Sequence, residues 1–149
     1  MLGLVYIYRG QFDQAILTLE KALQTDPFSA ETLNNLATAY LQKGQLDKAE
    51  DLLLTSLQIR SESITTHVNL GLLYILWARY DQAVEHLETA AQIMPDQLSV
   101  RNNLGVSLIR VGRFVEARQQ FQYMIDRDAL RPPAYFNMAI AYALERKYP

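Results

Sequence analysis

Apolar positions recur along the whole chain at spacings of three, four and seven residues, the signature of helices that bury one face. Small residues set the register: Gly3, Ala37, Gly71, Gly105 and Ala139 follow one another at intervals of 34. One residue before each stand Leu2, Leu36, Leu70, Leu104 and Met138. Three residues after stand Tyr6, Tyr40, Tyr74 and Tyr142, with Leu108 in the fourth copy. Twelve residues on, a second small column comprises Ala15, Ala49, Ala83 and Ala117, followed after four residues by Leu19, Leu53, Leu87 and Phe121. A self-similar period of this length means that each unit cannot bury its apolar faces alone and does so against its neighbours.

Breaks in the pattern divide each unit into two helices. Gly10-Gln11-Phe12-Asp13, Gly44-Gln45-Leu46-Asp47, Ala78-Arg79-Tyr80-Asp81 and Gly112-Arg113-Phe114-Val115 read as turns, with glycine ending the first helix and aspartate capping the second. Asp26-Pro27-Phe28-Ser29 and Pro95-Asp96 separate units, and Pro132-Pro133 opens the last helix. The expectation is an all-α chain of nine short helices, antiparallel neighbours throughout, in units of residues 1–29, 30–63, 64–97, 98–131 and 132–149. The small columns let helix axes approach closely, while the large residue a turn away fills the groove beside them. The opening unit begins inside a first helix, and Arg146-Lys147-Tyr148-Pro149 reads as the turn after another. Expected from this is a segment of a longer array, or an array whose ends another copy covers.

These columns resemble the tetratricopeptide repeat pattern of Leu-Gly, Tyr, Ala, Phe and Pro, and the resemblance spans the whole chain. Its best copy is Leu70-Gly71, Tyr74, Ala83, Leu87, Ala90 and Pro95. The family's tryptophan position holds Leu33, His67, Arg101 and Tyr135, while Ser61 and Ala129 replace the closing proline. The resemblance implies a right-handed superhelical solenoid of four to five units, a single array over residues 1–149. It also implies a concave groove that takes a peptide or protein segment.

Packing does not require every apolar position. With the small column set at 0° and about 100° per residue, the leucine and tyrosine columns fall at roughly 260° and 300°. Opposite them lie Leu4, Leu72, Val106 and Ile140, and between stand Ile7, Leu41, Ile75 and Ile109. Helices meeting only water there would be polar. The resemblance places this side on the groove, which then becomes a partly apolar trough. Packing between neighbouring first helices is the other use open to Leu41, Ile75 and Ile109. Along one edge run Asn35, Asn69, Asn103 and Asn137, with Asn34 and Asn102 in a second row. A carboxamide donates and accepts, so such a row can match the N–H and C=O groups of an extended peptide backbone. It is similar to the asparagine ladder in the repeat arm of protein O-linked N-acetylglucosaminyltransferases. Bridging of adjacent units is the alternative role.

Composition narrows the classes of function. Net charge is −2 and the pI about 5.6, so no broad attraction for phosphate backbones or acidic lipids arises, and nucleic acid is not expected as a partner. No apolar run reaches the ~18 residues that span a bilayer. The N-terminus lacks the basic segment and cleavage site of a signal peptide. Compartment is left open, with a slight lean to the cytoplasm. Cysteine is absent, which removes thiol chemistry, and His67 and His86 lack the spacing of a zinc helix. Neither a phosphate loop nor a nucleophile elbow occurs, so no catalysis and no cofactor are expected. The groove positions Glu31, Thr65, Ser99, Thr38, Asn34, Val68 and Phe136 carry no cationic clamp for a terminal carboxylate, Arg110 being the only cation expected nearby. Trp77 either covers a turn or marks an interface. The function expected is an interaction module or scaffold for a peptide or protein. Self-assembly through the ends, or service as the substrate-selecting arm of a larger enzyme, are the alternatives.

Overall fold

In a computed structural model, residues 2–128 and 132–148 are described. Among them the fold is all-α, and the helices run α1 (Leu2–Tyr8), α2 (Phe12–Thr25), α3 (Ala30–Gln42), α4 (Leu46–Ile59), α5 (Ile64–Leu76), α6 (Tyr80–Ile93), α7 (Leu98–Arg110), α8 (Phe114–Arg127) and α9 (Pro132–Lys147). The chain divides into two compact units, residues 1–73 and 74–149. Ala129 lies outside the described residues.

The turns within pairs share one construction. In the first, Gln11 N–H donates to the Tyr6 carbonyl (2.8 Å) and Gly10 N–H to Ile7 (2.9 Å), the double bond that closes a helix on a left-handed residue. Gly10, Gly44 and Gly112 adopt φ of 71°, 70° and 80°, where glycine pays no steric penalty. Ala78 takes the same role at φ 56°. Because this motif reverses the chain within two residues, the expectation that aspartate caps the second helices is corrected. The caps are Gln11, Gln45, Arg79 and Arg113, none with a side-chain capping bond, and Asp13, Asp47 and Asp81 sit inside the first turn. There their carboxylates meet the positive end of the helix dipole. Arg146, 34 residues after Gly112, does not turn either. Helix α9 continues through Lys147, since arginine meets the Cβ clash that glycine avoids in the left-handed region. Pro149 lies outside the described residues.

In the first unit, α1 packs on α2 and α3, α2 on α3, and α3 on α4. Ala15, Ala37, Ala49 and Leu53 are fully buried, with Leu36 and Tyr40 nearly so. A Cβ on Gly3 would stand 2.5 Å from Leu19 Cγ, so the small residue is what lets α1 take the Leu19 side chain of α2 against its backbone. Tyr40 Oη donates to Glu20 Oε1 at 2.8 Å. Burial first, and then this bond, raise its phenol above the ordinary pKa.

The second unit repeats the scheme, α6 on α7, α7 on α8, and α8 on α9, with α7 also reaching α9. Leu87, Ala117 and Phe121 are fully buried, and Gly105 lies against the Phe121 ring, 2.6 Å from where its Cβ would be. Asp96 ties the α6–α7 turn to α8, accepting from Arg127 Nε (2.7 Å) and Tyr123 Oη (2.9 Å). Those bonds, the arginine's foremost, hold its carboxyl below the ordinary range. Exposed on α9 are Tyr135, Phe136 and Tyr142.

Candidate peptide-binding groove

In the first unit the asparagines enter a buried polar seam. Asn34 is nearly buried, its Nδ2 donating to Thr66 Oγ1 at 3.0 Å. Asn69 Nδ2 donates to Asn34 Oδ1 (2.7 Å) and Thr38 Oγ1 (3.3 Å). Thr38 spends its own proton on the Asn34 carbonyl, 3.0 Å away, so its oxygen is an acceptor toward Asn69. Both Asn69 N–H groups are thereby engaged, and its Oδ1 is the atom left for a ligand. Fully buried Ser56 and Thr66 extend the seam, Ser56 Oγ donating to the Ala30 carbonyl at 3.1 Å.

Asn35 lies outside the seam. With Asn34, Glu31, Thr65, Ser63 and Arg60 it lines a recess of about 130 Å³. Arg60 closes α4, and so Arg110 is not the only cation beside the asparagines; the sequence columns, drawn on first helices alone, could not register a residue arriving from a second-helix end. Leu41 is half-buried, and Leu72 is 37% exposed.

The second unit differs at one decisive position. Asn137 Nδ2 donates to Asn102 Oδ1 at 3.1 Å, the counterpart of the Asn69–Asn34 bond. The residue matching Thr38 is Val106, whose side chain accepts nothing, so Asn137 retains an N–H. Among the described residues no side chain bonds that of Asn103. Val106, Ile109, Asn137 and Ile140 come together with Tyr80, Arg110 and Leu144 around a pocket of about 580 Å³. Tyr80 and Leu144 were not among the predicted contacts, and Arg110 was expected only as a nearby cation. Leu144 stands four residues beyond Ile140, one turn further along the same helix face, and that spacing was the available signal. Ile75 is half-buried.

Both histidines have structural partners. His67 Nε2 lies 3.0 Å from the Ser61 carbonyl, and the His86 ring stacks on Tyr74 with centroids 5.6 Å apart. Trp77 is half-buried beneath the Arg79 guanidinium, 4.0 Å from its ring centroid, and so covers the turn. Among the described residues no helix is long and apolar enough to cross a membrane.

Models described as tetratricopeptide repeat match residues 28–96 and 78–139, and one described as TPR repeat matches residues 3–44. A solved structure, MamA MSR-1, is 30% identical over 95% of this chain and 82% of its own, with a TM-score of 0.85. The chain belongs to the tetratricopeptide repeat family. PilF of Pseudomonas aeruginosa is similar at 28% identity and a TM-score of 0.85, over 99% of this chain and 67% of its own. Another MamA crystal structure, 23% identical over 96% of this chain and 84% of its own, has a TM-score of 0.87 and shares the fold. Comparison with curated protein sequences gave no match. As a tetratricopeptide repeat protein the chain is a protein-interaction module of the scaffold type, with protein partners.

Proposed function

We propose that this module holds a peptide segment, and that the second-unit pocket is where it grips. The observation that carries the reading is the pocket of about 580 Å³ lined jointly by Val106, Ile109, Asn137 and Ile140. Val106, Ile109, Ile140 and Leu144 would take aliphatic side chains, burial of each contributing up to about 1.5–3 kcal/mol before ordering costs. Asn137, with an N–H and its carbonyl remaining, and Asn103 would bond the ligand backbone. For the first unit by itself, Asn35, Asn69, Leu41 and Leu72 are proposed as its ligand contacts, and Ile75 is added to those of the second. Asn34 and Asn102 would act beneath them, orienting Asn69 and Asn137.

The seam refines the test. Asn69→Ala would leave Oδ1 of the buried Asn34 without its donor, costing about 1–3 kcal/mol of stability and confounding a binding result. Ile140→Asp combined with Asn103→Ala avoids the seam. Partners captured from a peptide library by the wild-type protein should bind this double variant at least tenfold more weakly, a loss of about 1.4 kcal/mol, while its helicity is retained. Equal affinity of the two proteins for those peptides would sink the groove reading.

A further inference from the structure

Arg110, at the mouth of the pocket, narrows the class of ligand. It is the last residue of α7 and exposed. Its Nη2 donates to Tyr80 Oη at 2.8 Å, and its Cζ lies 4.8 Å from the centre of that ring. Three other arginines of this unit pair with carboxylates: Arg113 with Glu88 at 2.9 Å, Arg127 with Asp96 at 2.7 Å, and Arg118 with Glu145, while Arg101 is held by the Pro95 carbonyl and Gln120. Among the described residues no carboxylate pairs with Arg110, and the pocket it borders has no acidic lining residue. A guanidinium presents five donors in a planar fork, and the phenol holds only one of them. Tethering by Tyr80 also removes part of the rotamer freedom that a charge pair would otherwise have to freeze.

Resting on the groove reading above, we infer that the segment bound there carries an acidic side chain next to an aliphatic one, and that Arg110 takes its carboxylate. The aliphatic group enters among Val106, Ile109 and Ile140. The backbone lies on Asn137, and Arg110 stands at the rim, so the carboxylate must be carried away from the backbone by a side chain. A terminal carboxylate belongs to the backbone itself and would sit with the asparagine. Tyr80 is the positioning residue, because it aims the guanidinium without meeting the ligand's charge.

The test uses the full chain and three synthetic pentapeptides: Ala-Leu-Glu-Leu-Ala and Ala-Leu-Gln-Leu-Ala with both ends blocked, and Ala-Leu-Gln-Leu-Ala with its C-terminal carboxylate free. Binding is followed by methyl NMR of Val106, Ile109 and Ile140. The glutamate peptide should bind up to about fivefold more tightly than its blocked glutamine counterpart, the range of a partly exposed ion pair. That margin should shrink as salt is raised from low to molar concentration and vanish in Arg110→Gln, an exposed change whose folding circular dichroism checks. Equal binding of the two blocked peptides, with the methyls still responding, would overturn the role of Arg110 and leave the groove standing. Preference for the free carboxylate would overturn the side-chain assignment. Silence of the methyls of all three residues toward every peptide overturns the inference, and the Ile140→Asp and Asn103→Ala variant then decides separately whether the groove falls with it.

Discussion

At the scale of single residues, the small column is a set of pairwise fits. Gly105 faces Phe121, whose ring stands 2.6 Å from where a Cβ would be, whereas the repeat-equivalent positions of the first unit hold Ala37 and Leu53, both fully buried on the packed helices α3 and α4. Gly105→Ala should therefore destabilise by about 1–3 kcal/mol through overpacking. Phe121→Leu alone should also cost stability, by leaving a void. Together they recreate the Ala37–Leu53 pairing, so urea denaturation of the double variant should give a loss well below the sum of the singles. Simple additivity would show that the two sites do not share this packing constraint. The small column was legible in the sequence because close approach of helices leaves few acceptable side chains. Periodicity put Asn34 and Asn35 in different rows but could not show that, of two adjacent and chemically identical side chains, one enters a buried seam and the other a solvent recess. Nor could periodicity reveal that Thr38 captures an Asn69 N–H while Val106 leaves the corresponding Asn137 N–H available. That distinction depends on how hydroxyl protons are shared among neighbouring side chains.

At the scale of helices and turns, the repeat supplies its own controls. Among the described residues four turns place a residue in the left-handed region, and three use glycine while one uses Ala78 at φ 56°. A Cβ there costs roughly 1–2 kcal/mol, partly offset in any glycine variant by the greater freedom of the unfolded chain. Ala78→Gly should stabilise the protein by about 0.5–1 kcal/mol and raise Tm by a few degrees, measured by thermal denaturation. An unchanged or lowered Tm would mean that the turn carries no strain at this residue. Sequence reading located all four turns but misplaced the second-helix caps. Aspartate is a strong capping residue in isolation; here the preceding glycine motif brings Gln11 or Gln45 to the cap first and leaves the aspartate one step inside the helix. The extension of α9 through Arg146 follows from the same chemistry, since the glycine that would stop it is missing.

For the whole molecule, the 34-residue period made the helix order legible, because one packing solution is written several times and each copy supports the others. Division into units at residues 73 and 74 was not legible, since it falls within the continuous periodicity of α5 and reflects how contacts cluster in space. Within the first unit, α1 touches α2 and α3, while α3 touches α4. Stability in such an arrangement is a sum of local interfaces rather than the property of one shared centre. Leu53 is fully buried in α4, so Leu53→Ala should cost about 2–5 kcal/mol. That cost should be felt most in the helices that meet at this side chain. Native-state hydrogen exchange over residues 2–59 would then show protection falling most in α3 and α4, less in α2, and least in α1. A uniform fall across all four helices would mean that they open as a single cooperative body, and the nearest-neighbour account of this unit would have to be given up.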